Sequence, residues 1–192
     1  MKVLVLNGSP RKNGTIENIL KKLTENVSCD FIDVCKLKFE SCVGCMNCRK
    51  NGECILKKDD AHSIAEKIKD AEILIVGSPA YWGNINGKMK MLFDRLVYVL
   101  MGESKRGLPL PLHKGKKCIL VSSCTTPFPF NIIAGQSSGT IRELKEITKY
   151  AGFKTIGVIQ KGGTKNKKDF TNSELKKIER LNKKIKNTLE KN

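Results

Sequence analysis

With 192 residues, 36 Lys and Arg against 19 Asp and Glu, and a formal charge of +17, the chain can bury one sizeable core without covalent or metal staples. The first residues carry one Lys and a short apolar run, too short for a secretory signal core. No run approaches the roughly 18 apolar residues of a membrane span, so one cytoplasmic domain over 1–192 with no membrane partner is expected. In that setting the eight cysteines read as thiols or metal ligands rather than a disulfide framework.

Strand-like and helix-like runs alternate. Residues 2–6 form an apolar strand pattern, and 15–25 carry Ile16, Ile19, Leu20 and Leu23 at helical spacing. A second strand is predicted at 30–34. Residues 35–58 have no helical period and hold five of the eight cysteines, a long insertion of the kind that is usually functional or disordered. Asp59 and Asp60 supply N-cap chemistry for a helix to about residue 70. Residues 72–77 make a continuous apolar strand typical of a parallel sheet buried on both faces. A polar loop at 78–86 leads to a helix over 87–99, followed by a turn-rich stretch at 101–116. A strand at 117–122, a long loop at 123–134, a helix at 140–151, a strand at 154–159 and a last helix at 173–189 complete the order. That helix sets Leu175, Ile178, Leu181 and Ile185 against a lysine face. It contains no aromatic residue for base stacking, and no nucleic-acid motif occurs in the chain, so no nucleic-acid partner is expected.

Five strands alternating with five helices imply a parallel sheet covered on both faces by right-handed crossovers. Ligands of such sheets sit beyond the carboxyl ends of the strands, so the loops at 8–15, 78–86 and 122–136 should meet. In the first loop Ser9 and Thr15 offer hydroxyls, Asn13 an amide and Arg11 a charged fork. Gly8 and Gly14 allow close approach, and the helix start presents backbone donors such as that of Ile16. These groups suit one phosphate monoester, although an ordinary polar connection has a similar composition. No dinucleotide or triphosphate fingerprint is present. The segment from Gly83 to Met89 is a near miss to the triphosphate loop, with too short a gap and Met in place of the hydroxyl.

Four cysteines follow the spacing Cys42-x2-Cys45-x2-Cys48-x5-Cys54. Such a set can converge on one four-iron cubane, hold a closed zinc site, or stay free. Gly44 and Gly52 allow the tight turns a cluster loop needs, while Cys29, Cys35 and Cys118 lie at or beside strands and read as structural.

Several of these segments together resemble the flavodoxin-like NAD(P)H-dependent FMN reductases, and within them the iron-sulfur flavoproteins. They are Gly8-Ser9-Pro10-Arg11, the four cysteines, Lys58-Asp59-Asp60, the run from Ser78 to Asn84, and Lys88 with Phe93-Asp94-Arg95. The resemblance implies a doubly wound five-stranded parallel sheet of order 2-1-3-4-5 in three α/β/α layers. It also implies FMN with its phosphate in the first loop and its ring against Pro79, Ala80, Tyr81, Trp82, Gly83 and Asn84. Ser123, Cys124 and Thr125 would complete the cradle. Backbone is expected to do most of the ring contact, with no stack from Trp82, and Cys124 reads as a packing residue because no His lies nearby in sequence. The resemblance further implies a [4Fe-4S] cluster on Cys42, Cys45, Cys48 and Cys54, NAD(P)H as donor, and a homodimer or homotetramer. Two functions stay open. One is an oxidoreductase that takes hydride from a nicotinamide, with or without a cluster. The other is an electron carrier exchanging single electrons with a small molecule or a partner such as ferredoxin.

Overall fold

The apolar runs become the inner strands of a sheet because each of their residues meets a core on one face or the other. The computed structural model describes residues 2–165 and 169–190. Its sheet comprises β1 (Val3–Asn7), β2 (Asp30–Asp33), β3 (Ile73–Pro79), β6 (Lys117–Ser123) and β7 (Lys154–Lys161), all parallel, in the order β2-β1-β3-β6-β7. Counting only these strands, that is the expected order 2-1-3-4-5. Two further strands, β4 (Met101–Glu103) and β5 (Pro109–Pro111), pair as a separate antiparallel hairpin within the stretch expected to be only turns.

Alternation along each strand divides the core in two. Leu4, Leu6, Leu74, Val76 and Leu120 face one layer, which contains α3 (Asp60–Asp70), α4 (Gly87–Arg95), α5 (Val97–Leu100) and α7 (Gln136–Ala151). Val3, Val5, Ile73, Ile75, Ile119 and Val121 face the other, made by α1 (Thr15–Leu23) and α8 (Asn172–Leu189). Two short helices, α2 (Asn47–Asn51) and α6 (Phe130–Ile133), lie in segments expected to be loops. The single helix expected over 87–99 is two, broken at Leu96, and α7 begins four residues earlier than its apolar period. Among the described residues no helix is long and apolar enough to cross a membrane.

His113 ties the end of α5 to the sheet. It is buried, stacks on Phe153 at 4.8 Å between ring centroids, and its Nε2–H donates to the Val99 carbonyl at 2.7 Å. This leaves Nδ1 buried and without a partner among the described residues, as suits the neutral ring. Burial pushes its pKa below the ordinary histidine value of about 6.5, against the opposing pull of the Val99 carbonyl. The neutral form is favoured in the folded state, so the stability His113 contributes is complete above the unfolded pKa and is lost as pH falls below it. Melting temperatures at pH 7 and pH 5 should differ more for the wild type than for His113→Gln; equal differences would rule this out.

Candidate functional site

The three loops expected to meet are bonded to one another at the carboxyl edge of the sheet. The Gly8 N–H donates to the Gly77 carbonyl at 2.7 Å, and the Ala80 N–H donates to the Ser123 carbonyl at 2.8 Å. The side chain of Asn86 caps α4 by accepting from the Met89 N–H at 2.7 Å, while its amide donates to the Gly8 carbonyl. Asn7 accepts from the Ser9 N–H at 3.1 Å and donates to Asp33 at 2.9 Å. Two buried asparagines therefore hold the first loop in place. Neither was among the residues expected at the site; Asn86 lies two residues beyond the expected ring-contact run, and a lone buried Asn carries little signal in sequence.

In the first loop Ser9 Oγ accepts from the Arg11 N–H at 3.3 Å, and Asn13 sits at φ 55°, which turns the chain into α1. The N-cap of that helix is Gly14, with no side-chain cap, so the N–H groups of Thr15, Ile16 and Glu17 have no intrahelical partner. Ser9, Gly14 and Thr15 are half-buried around this helix start, and Arg11 and Asn13 are exposed beside it. The arrangement fits a phosphate monoester, with uncapped backbone donors and two hydroxyls at the helix start and an exposed arginine in the same loop. Ser9→Ala and Thr15→Ala should each weaken FMN binding by about 1–3 kcal/mol, the range for a hydrogen bond to a charged group. Fluorescence titration of the apoprotein checks this, and unchanged affinity in both variants would exclude the loop as the phosphate site.

The second loop makes a tight reversal. Tyr81 and Asn84 exchange backbone hydrogen bonds at 2.9 and 3.0 Å, and the two residues between them, Trp82 and Gly83, have φ of 53° and 71°. Positive φ at both central positions is the type I′ geometry. A Trp there is strained, and its side chain is fully exposed. Among the described residues the N–H groups of Trp82 and Gly83 have no hydrogen-bond partner, which makes them backbone donors at the rim of the cradle. Pro79 and Ala80 form its half-buried floor.

The third loop completes the edge. Ser123 and Cys124 are buried and Thr125 is exposed. The Cys124 N–H donates to the Lys161 carbonyl at 3.0 Å, its thiol lies 3.5 Å from the Thr126 carbonyl, and burial pushes the thiol pKa up. A buried thiol with a raised pKa is not an activated nucleophile. The start of α7 presses on the second loop, with Thr140 Oγ1 donating to the Asn84 carbonyl at 3.1 Å. A Cβ built on Gly139 would lie 2.1 Å from the Gly83 carbonyl oxygen.

Cys42, Cys45, Cys48 and Cys54 line one cavity of about 110 Å³ beside the end of α4. The loop turns there through left-handed residues at Gly44, Met46 and Gly52. Burial first, and then the neighbouring Cys42, Cys54 and Cys45, push the Cys48 pKa up. Among the described residues no three His, Cys, Asp or Glu side chains are grouped closely enough to share a single ion. In a cubane each thiolate binds a different iron, so its ligands stand further apart than those of zinc. Arg95, which is buried, lines the same cavity and is the residue of this site that cysteine spacing does not reveal.

The model of the NADPH-dependent FMN reductase family matches residues 1–124. An iron-sulfur flavoprotein of Methanocaldococcus jannaschii is 34% identical over 100 residues, 50% of this chain and 51% of that protein. One from Archaeoglobus fulgidus is 36% identical over 107 residues, 53% of this chain and 52% of that protein. The chain thus spans about half the length of these relatives. Among solved structures, an FMN-dependent NADH-azoreductase from Bacillus anthracis in complex with FMN shares the fold at TM-score 0.66, with 13% identity over 99% of this chain and 98% of that one. The Trp repressor binding protein of Bacillus subtilis does so at TM-score 0.62, with 21% identity over 95% of this chain and 99% of that one. On the family match and the shared fold, the chain belongs to the NADPH-dependent FMN reductase family.

Proposed function

We propose that this chain is an oxidoreductase that holds FMN in the three-loop cradle, accepts reducing equivalents from NAD(P)H, and relays them through a [4Fe-4S] cluster on Cys42, Cys45, Cys48 and Cys54. The observation that carries this reading is the pairing of an uncapped, hydroxyl-rich helix start with four thiols around one cavity. Bound there, FMN would supply the exchange that a nicotinamide and a one-electron centre require between them, taking one hydride with its two electrons and passing those on singly. The protein's part is to bind and orient. The N–H groups of Thr15, Ile16 and Glu17, with the Ser9 and Thr15 hydroxyls, receive the phosphate. Trp82 and Gly83 N–H groups point donors at the rim, and Asn7 and Asn86 keep the loops in register. The likeness to relatives named iron-sulfur flavoproteins supports the cluster.

The test is protein prepared without oxygen and assayed for flavin, iron and sulfide, then mixed with NADH or NADPH alone. Bleaching of the flavin by a nicotinamide supports the enzyme. Bleaching only by reduced ferredoxin would make the chain an electron carrier, and flavin without iron after reconstitution would leave a plain FMN reductase.

The same reading includes self-association. Val43, Met46 and Ile55 on the cysteine loop are exposed, as are Phe128, Phe130 and Ile133 on the third loop. Apolar groups of this size in patches usually mark contacts. A homodimer or homotetramer covers them, and light scattering at micromolar concentration should give at least twice the chain mass; a monomer would count against it.

A further inference from the structure

We propose that Arg95 is a positioning residue for the four-thiolate centre, holding a fixed positive charge against it and so raising its reduction potential. The inference rests on the reading that these cysteines carry an iron-sulfur cluster.

Arg95 is only 3% exposed. Nη1 donates to the Glu40 carbonyl at 2.7 Å and to Asp59 Oδ2 at 2.8 Å, and Nη2 donates to Asp59 Oδ1 at 3.2 Å. Glu40 and Asp59 stand at the two ends of the cysteine loop, so one guanidinium ties both ends to α4. Its Nε is buried, with no partner among the described residues. An unmade hydrogen bond on a buried charged donor is costly, and the sulfur-lined cavity that Arg95 borders is where an acceptor can lie.

The electrostatics have a direction. Asp59 does not line the cavity and Arg95 does, so the pair turns its positive end to the thiols. Asp94 and Arg49 also border the cavity, but both are partly exposed and paired away, Asp94 with Lys90 at 2.7 Å and Arg49 with Glu103 at 2.7 Å. Reduction adds one electron, supplied by dithionite in a titration, and makes the centre more negative by one charge. A nearby buried cation stabilises that form more than the oxidised one.

The experiment is a dithionite titration followed by electron paramagnetic resonance, after iron and sulfide have been counted in each protein. At the potential that reduces half of the wild-type centre, Arg95→Gln should be about tenfold less reduced relative to oxidised, a shift of about 59 mV for one electron. Arg95→Lys, which keeps the charge, should recover most of that shift. Asp59→Asn, which keeps a competent N-cap, should move the potential in the opposite direction. Fully loaded variants that all titrate with the wild type would overturn the proposal and leave Arg95 as a structural clamp. If Arg95→Gln loses its iron, the sign of the Asp59→Asn shift decides. A wild-type chain that takes up no iron on reconstitution removes the cluster reading itself, and the inference with it.

Discussion

Cys48→Ala should remove the iron while leaving the flavin in place. Anaerobically prepared wild-type protein is expected to contain about four iron and four sulfide per chain, as a cubane on four thiolates requires, and the variant close to none. Cys48 is the most telling ligand to remove. It sits in α2, the short helix at the centre of the loop, half-buried, and its thiol feels the other three. Ala at that position has no donor atom and leaves three ligands for four irons. The cradle is built from other elements, β1, β3 and β6 with their following loops, and Cys48 touches none of the bonds that hold it. Flavin content should therefore stay at the wild-type level. Full iron in Cys48→Ala would mean that another group serves as the fourth ligand, and loss of flavin with the iron would mean that loop and cradle fold as one unit.

The sheet was legible because β1, β3 and β6 are continuous apolar runs, and such runs have few stable places other than a strand covered on both faces. The start of α3 was legible too, from the Asp59 side-chain cap, whereas the Thr171 cap that opens α8 at Asn172 was not singled out. The hairpin of β4 and β5 was not, because Gly102, Gly107, Pro109 and Pro111 carry turn chemistry while the pairing itself is tertiary. The early start of α7 was hidden for a similar reason. Ser137 and Gly139 read as loop residues, yet the Ser137 hydroxyl receives the Asn131 amide at 2.9 Å and Gly139 is small to let a backbone pass. The break at Leu96 is invisible because Leu92, Leu96 and Val99 keep helical spacing through it. At the site, cysteine spacing and hydroxyl-rich loops are local signals. The grip of Arg95 on residues 36 and 55 positions away is not.

Gly139→Ala should lower FMN affinity although Gly139 lies in a helix and not in a loop of the cradle. Ala is the better helix former by about 1 kcal/mol, so α7 itself gains from the change. The cost falls across the interface, where the new methyl carbon would stand 2.1 Å from the Gly83 carbonyl oxygen, a backbone atom that cannot rotate away. Either α7 or the reversal at Tyr81–Asn84 must move, and the reversal is the weaker partner. It is closed by two backbone bonds, is tied to α7 by the Thr140 hydroxyl, and already contains a strained Trp82. Overpacking of this kind costs about 1–3 kcal/mol, which as a displaced donor pair at Trp82 and Gly83 corresponds to roughly fivefold to a hundredfold weaker flavin binding. Gly87→Ala is the control, since a Cβ there meets nothing within 4 Å and Gly87 has no positive φ. Flavin titration of both apoproteins, with circular dichroism to show that helix content is kept, should separate them. Equal affinities in Gly139→Ala and Gly87→Ala would mean that the reversal does not reach the flavin.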